Sequence, residues 1–257
     1  MSVTMIKTAD EIARLRESGK RLAEVLEGVI AAVRPGLSTQ DIDVLSERLI
    51  REVGGTPIFK GYAGGSGKPF PAAICTSLNE EVVHGIPSAE RIIREGDLLK
   101  LDIGMRFAGM VTDMARTVRV GKVVKEAEKL AAVTEESLKR GILELRPGAH
   151  ISAYARAVQD FVEANGFSVV RDLVGHGVGH ELHEDPQIPN YVSREMDDFV
   201  VEKGMTLALE PMVNMGTSAV KIASDGWTFV TADGKWSAHC EDTVVITEHG
   251  AEVVTRV

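Results

Sequence analysis

Residues 97–120 read DLLKLDIGMRFAGMVTDMARTVRV. Two runs rich in Leu, Ile, Val and Thr, Asp97–Met105 and Met110–Val120, flank Arg106-Phe107-Ala108-Gly109, which is the pattern of a β-hairpin. Asp102 and Asp113 stand at equal distances from the 107/108 midpoint. In a symmetric hairpin they face each other directly, with Cβ atoms about 5 Å apart. Two like charges there are destabilising unless something positive lies between them. Both also sit in apolar strands, where an unpaired carboxylate is costly. One reading is that a cation is held between them. The other is that one Asp is a turn or edge residue, although neither lies in the turn. Val200–Val213, Trp227–Thr231 and Cys240–Thr247 supply further strand signals.

Helices flank this hairpin. Thr8-Ala9-Asp10-Glu11 is a capping box, and Ile12, Leu15, Leu22, Leu26 and Ile30 follow at helical spacing until Arg34-Pro35-Gly36. Ser38 and Asp41 open a second helix carrying Ile42, Leu45, Leu49 and Val53, closed by Gly54-Gly55. The design returns 112 residues later. A helix over Glu126–Leu145 stops at Arg146-Pro147-Gly148, and another, with Ile151, Tyr154, Val158, Phe161 and Val162, stops at Asn165-Gly166. Matched stops around matched helices point to an internal duplication. The alternative is two unrelated helical hairpins. The expected organisation is one domain over 1–257, with halves at approximately 8–120 and 121–250 and a site between them. Helical pairs plus antiparallel strands make the fold class α+β.

The bulk properties narrow the function. The chain has 257 residues, 44% hydrophobic and 26% charged, the composition of a folded globular protein. A net charge of −9 argues against a nucleic-acid partner. Cys75 and Cys240 form no Cys-x-x-Cys pair, so thiolate metal sites are disfavoured and a reducing cytosol is expected. The N-terminus lacks an apolar signal core, and no apolar run is long enough to span a membrane.

Gly175-His176-Gly177-Val178-Gly179-His180-Glu181-Leu182-His183-Glu184-Asp185-Pro186 gathers three of the chain's seven histidines, with glycines that let the backbone pass close to a ligand. The zincin pattern fails: His180 and His183 are one residue too close, and Gly-Val-Gly between His176 and His180 is a poor helix. Gly61–Lys68 resembles a Walker loop but has the wrong glycine spacing. Glu210 ends an apolar strand, and Glu241 precedes another. With Asp102, Asp113 and one of the histidines they form an oxygen-rich set suited to paired Mn, Fe, Co or Zn.

In chain order, Asp102-x10-Asp113, Gly175-His176-Gly177-Val178-Gly179, Leu182-His183-Glu184-Asp185-Pro186, Leu209-Glu210-Pro211-Met212 and Glu241 before an apolar strand resemble the type I methionine aminopeptidases. So does Asn79-Glu80-Glu81-Val82-Val83-His84-Gly85-Ile86-Pro87. The resemblance runs over residues 5–255. It implies the pita-bread fold, two pseudo-twofold-related halves with an antiparallel curved sheet and outer helices. It implies a cytoplasmic, monomeric hydrolase that removes the initiator methionine from nascent proteins and peptides with a small second residue, through a metal-activated water, with the ribosome as a further partner. Asp102, Asp113, His176, Glu210 and Glu241 become the ligands of two divalent ions (Co, Mn, Fe or Zn), with Asp113 and Glu241 bridging. His84 and His183 contact substrate, and Glu210 takes the water's proton. Tyr62, Phe70, Cys75, Leu182 and Trp227 are candidates for the methionine pocket. Only 26 residues separate His183 from Glu210, too few for the helical insertion of the type II enzymes. An Xaa-Pro peptidase of the same fold usually carries an additional N-terminal domain, not expected here. Three features depart from the family pattern: His180 in place of Arg, Asp242 in place of His, and the Gly64-Gly65-Ser66-Gly67-Lys68 stretch, which bear on pocket shape and side-residue specificity.

Overall fold

Thr8 and Ser38 each accept the N–H of the third helical residue, while Glu11 and Asp41 reach back to the cap N–H. These closed boxes start α1 (Ala9–Ala32) and α2 (Thr39–Glu52) where the sequence places them. The computed structural model describes residues 5–64 and 67–257. After α2 come β1 (Thr56–Pro57), β2 (Ile74–Leu78), β3 (Glu81–Val83), β4 (Leu98–Phe107) and β5 (Met110–Arg119). Then α3 (Lys125–Glu144) and α4 (Ile151–Ala164) repeat the helical pair, and α4 matches α2 in length and begins 112 residues after it. The remaining strands are β6 (Ser168–Val169), β7 (Gly175–Gly177), β8 (Glu184–Ile188), β9 (Thr206–Leu209), β10 (Met212–Asn214), β11 (Val220–Ile222), β12 (Phe229–Thr231), β13 (Ser237–His239), β14 (Glu241–Thr247) and β15 (Gly250–Val253).

The expected hairpin is present, with a different turn. Phe107 pairs with Met110, so only Ala108 and Gly109 turn the chain, both at positive φ (50° and 82°). Two-residue turns of this hand match the twist of the strands they join. The pairing axis therefore moves from 107/108 to 108/109. Asp102 lies opposite Ala115, and Asp113 opposite Gly104. The two carboxylates are diagonal neighbours, not the directly opposed pair that the sequence suggested. They keep the same face because the register moves by an even number of residues.

The expected strand over 200–213 is also interrupted. A turn at Glu202–Gly204 precedes β9, and Pro211, which has no N–H to donate, separates β9 from β10. The strand expected from Trp227 begins at Phe229, and that expected from Cys240 begins at Glu241.

The main sheet is antiparallel and runs β1-β4-β5-β14-β9-β7-β8, with β2 added on β4 and β15 on β14. Read outward from the β5·β14 seam, its first neighbours are β4 and β2 on one side, β9 and β7 on the other. Two cores back it. Leu22, Leu26, Val29, Ile42 and Ile50 pack α1 and α2 onto Leu99, Leu101, Ile103 and Met105. Leu130, Leu138, Ile142, Tyr154 and Val158 pack α3 and α4 onto Leu207, Leu209, Val244 and Ile246. Among the described residues, no helix is long and apolar enough to cross a membrane.

Helix α1 also reaches across the seam. At Gly19 an added methyl group would run into the carbonyl of Val254, just beyond β15. Glycine there gives up about 1 kcal/mol of helix propensity for a close approach of backbone to backbone. Gly19→Ala should therefore lower the urea midpoint, with overpacking costing ~1–3 kcal/mol against the better propensity. An unchanged or raised midpoint would contradict this packing.

Candidate metal centre

The ladders arrange the acidic residues in two adjacent rows across the sheet. In one row Cys75 pairs with Asp102, Asp102 with Ala115, and Ala115 with Glu241. In the next, Gly104 pairs with Asp113, Thr243 with Ala208, and Ala208 with His176. The gap between Asp113 and Thr243 is closed by two hydrogen bonds: the Asp113 N–H donates to Thr243 Oγ1 (3.0 Å), and that hydroxyl donates to the Asp113 carbonyl (2.8 Å). One further step along β9·β14 sets Glu210 beside Glu241. Residues paired across a ladder share a face, so all five expected ligands point the same way. Gly104, Ala115 and Ala208 keep the rows low between them. A methyl group on Gly104 would lie 2.7 Å from the Phe59 ring.

These side chains are poorly served by the protein itself. Asp102 Oδ1, Asp113 Oδ1 and Glu241 Oε1 are buried without a hydrogen-bond partner. Burial pushes Asp113 up to about 7. Burial and the neighbouring carboxylates drive Asp102, Glu210 and Glu241 well above the usual carboxylate range. The Cys75 thiol is pushed up by burial and by Asp102, so it offers no thiolate. His176 is held neutral by burial, with its pKa lowered to about 3; Nδ1 meets the Gly177 carbonyl (2.9 Å), and Nε2 lies 3.5 Å from Glu210 Oε1. Donor atoms of Asp113, His176 and Glu241 all fall within 4.8 Å of one another, as do those of Glu210, His239 and Glu241. Unpartnered carboxylate oxygens, a neutral imidazole and no thiolate fit divalent cations.

Against this centre lies a narrow cavity of ≈ 60 Å³. Tyr62, Phe70, Cys75, His84, Leu182, His183 and Trp227 all line it, together with Phe59. It opens into an outer cleft of ≈ 730 Å³ reaching Val83, Asp185, Gln187 and Phe229. His84 has a left-handed backbone (φ 58°) and a ring edge-on to Trp227 and Phe229. Its pKa falls to about 4, through burial and the nearby His183. The Tyr62 hydroxyl meets His183 Nδ1 at 2.6 Å, and the His183 ring lies against that of His176. Phe59 and His239 escaped the sequence reading. Phe59 is selected only by its fit over Gly104. His239 stands two residues before Glu241, a proximity that carries no weight until the sheet is folded.

A family model described as metallopeptidase family M24 matches residues 13–248. This chain belongs to that family. Its sequence is 46% identical over 251 residues to methionine aminopeptidase 1 of Bacillus subtilis, covering 98% of each chain. It is 45% identical to the methionine aminopeptidase of Clostridium acetobutylicum, again covering 98% of each. The crystal structure of methionine aminopeptidase from Thermotoga maritima superposes with a TM-score of 0.93 at 43% identity, covering 98% of this chain and 99% of that one. The curled antiparallel sheet with four outer helices is the pita-bread fold of the family.

His180 and Asp242, which the sequence reading singled out, point away from the cavity. His180 Nε2 meets Glu11 Oε1 at 2.7 Å, tying the histidine loop to the start of α1. Asp242 alternates with Glu241, so it faces the opposite side of β14, accepting from Arg116 (2.7 Å) and the Thr255 hydroxyl (2.9 Å). Neither residue lines the inner cavity or the outer cleft. Gly64 does line the cleft; Gly65 and Ser66 of the same stretch lie outside the described residues.

The raised carboxylates set the sign of a pH effect in this M24 centre. With Asp113 raised to about 7 and the other three carboxylates shifted in the same direction, a cation binding near neutral pH must displace protons from the site. Cation affinity should rise with pH through about 7. Titration calorimetry with Zn or Co in buffers of different ionisation enthalpy should show net proton release. No release at pH 7 would mean that the carboxylates are already ionised.

Proposed function

We propose that this M24 member is a methionine aminopeptidase that removes the N-terminal methionine of nascent proteins and peptides, with a preference for a small second residue. The observation that carries the reading is the placing of five donor side chains on two adjacent strand rows at one wall of a narrow cavity whose other wall is aromatic and apolar. The names of relatives matched over nearly their full length support it. In this reading Asp102, Asp113, His176, Glu210 and Glu241 would hold two divalent ions among Co, Mn, Fe and Zn. The chain works as a monomer in the cytoplasm on ribosome-borne substrates. It is one domain whose halves, approximately 8–120 and 121–250, descend from a duplication.

Two divalent cations, when bound, acidify the attacking water and polarise the scissile carbonyl. The chain's own residues do the rest. Phe59, Phe70, Leu182, Trp227 and the protonated Cys75 wall the cavity, which suits an unbranched thioether. The outer cleft takes the peptide beyond the scissile bond. The Tyr62 hydroxyl, donating to His183 Nδ1, fixes the tautomer with the proton on Nε2. That N–H is free to donate to the carbonyl oxygen as negative charge develops on it. His84, neutral by burial, donates from the other side of the cavity. Glu210 accepts a proton from the water at a carboxylate oxygen and returns it to the departing amine.

The metal-loaded protein should release Met from Met-Ala-Ser and should not split an Xaa-Pro bond. Failure to release Met with any of Mn, Fe, Co or Zn would overturn the reading. His84→Ala should lower kcat by roughly 10²–10³-fold, the effect of losing one transition-state donor, with metal content staying near two ions per chain. Loss of metal in that variant would instead make His84 a ligand.

A further inference from the structure

Beyond the five expected ligands, one further imidazole reaches the carboxylates. His239 closes β13 and is 1% exposed. Its backbone is fixed on both sides. It pairs with Met212, its N–H donates to Thr117 Oγ1 (3.0 Å), and its carbonyl accepts from the same hydroxyl (2.7 Å). Its ring, by contrast, is unserved: Nδ1 and Nε2 are both buried without a hydrogen-bond partner. A fully buried imidazole with two idle nitrogens is rare in a folded protein.

The ring is aimed. Nε2 lies 3.5 Å from Glu210 Oε2 and 4.0 Å from Glu241 Oε2. Those gaps are long for hydrogen bonds. The 3.5 Å gap to Glu210 resembles the spacing of donors that share one ion, since ligands about 2.1 Å from a tetrahedral cation stand about 3.4 Å apart, and the Glu241 oxygen lies a little beyond it. His176 Nε2 shows the same 3.5 Å to the other oxygen, Glu210 Oε1. Glu210 is thus flanked by two imidazoles, one per oxygen. Two donor triads result, Asp113–His176–Glu241 and Glu210–His239–Glu241, each with one nitrogen, and they share Glu241. The residues lining the inner cavity do not include His239, so its contact is with the centre and not with the space for substrate.

We propose that His239 is a further metal ligand, presenting Nε2 to the cation held by Glu210 and Glu241. This deepens the dinuclear reading and rests on it. A second imidazole also changes the class of ion the centre prefers. Carboxylates alone suit harder ions such as Mn, whereas imidazole adds affinity for Fe, Co and Zn.

The test is the histidine ring-nitrogen NMR spectrum of the full chain, metal-free and loaded with Zn. Ring nitrogens of two of the seven histidines, His176 and His239, should move to metal-bound positions. His239→Gln should remove one of those two signals, weaken Zn and Co binding more than tenfold, and weaken Mn binding less. Circular dichroism of the metal-free variant checks that it folds. Two Zn bound with only one imidazole shifted, in the unaltered protein, would overturn the proposal while leaving the aminopeptidase reading intact. A protein that binds no divalent ion at all would overturn both.

Discussion

Asp102, Asp113, Glu210 and Glu241 crowd one face of one sheet, largely shielded from solvent. Their mutual repulsion, added to the cost of burial, is the constraint that the surrounding structure must meet. Flexible loops would let the carboxylates splay towards solvent. Here Asp102, Asp113 and Glu241 are held on strands whose hydrogen-bond ladders set their direction, and Glu210 follows directly on another. Thr243 adds two hydrogen bonds to the Asp113 backbone where β5 meets β14. The rigidity that keeps the acids together when they repel also keeps them ready for cations.

The seam between β5 and β14 carries the greatest demand, because acidic side chains from both halves of the sheet meet there and its ladder is short. Arg116 reinforces it from behind. Its guanidinium donates to the carbonyls of Ala115 (2.8 Å) and Glu241 (2.6 Å) and to the Asp242 carboxylate (2.7 Å). Thr255 donates to the same carboxylate, and Gly19 brings α1 against Val254 next to it. Asp242 is therefore the partner of a partly buried arginine that braces the backbone of Glu241. His180 pairs with Glu11 and docks the histidine loop on α1. Both act on the scaffold and leave the cavity wall to other residues.

Much of this was legible in the chain. The capping boxes at Thr8 and Ser38, the recurring Arg-Pro-Gly stops and the hairpin over 97–120 are local signals, in which residues a few positions apart decide the conformation. The donor types gathered at the candidate site were legible for a related reason. Carboxylates in apolar strands and histidines among glycines are expensive unless they do chemistry. The register was not legible. A shift of the turn from four residues to two moved Asp113 from opposite Asp102 to opposite Gly104, and turn choice depends on the twist of strands already paired. Phe59 and the aim of His239 were not legible either, because each gains its meaning from a residue far away in sequence: Gly104 for one, Glu210 for the other.

The sequence by itself determined an α+β chain with two helical pairs and singled out four acids and a cluster of histidines as candidates for a metal centre, since composition and short-range pattern carry that information. The tertiary structure decided how the hairpin aspartates meet. They stand diagonally on adjacent rows, with small residues between them and a second buried imidazole beside Glu210 and Glu241. The physical reason is that strand register and the approach of distant side chains follow from packing two cores against one sheet, and no window of the sequence contains both partners of those contacts.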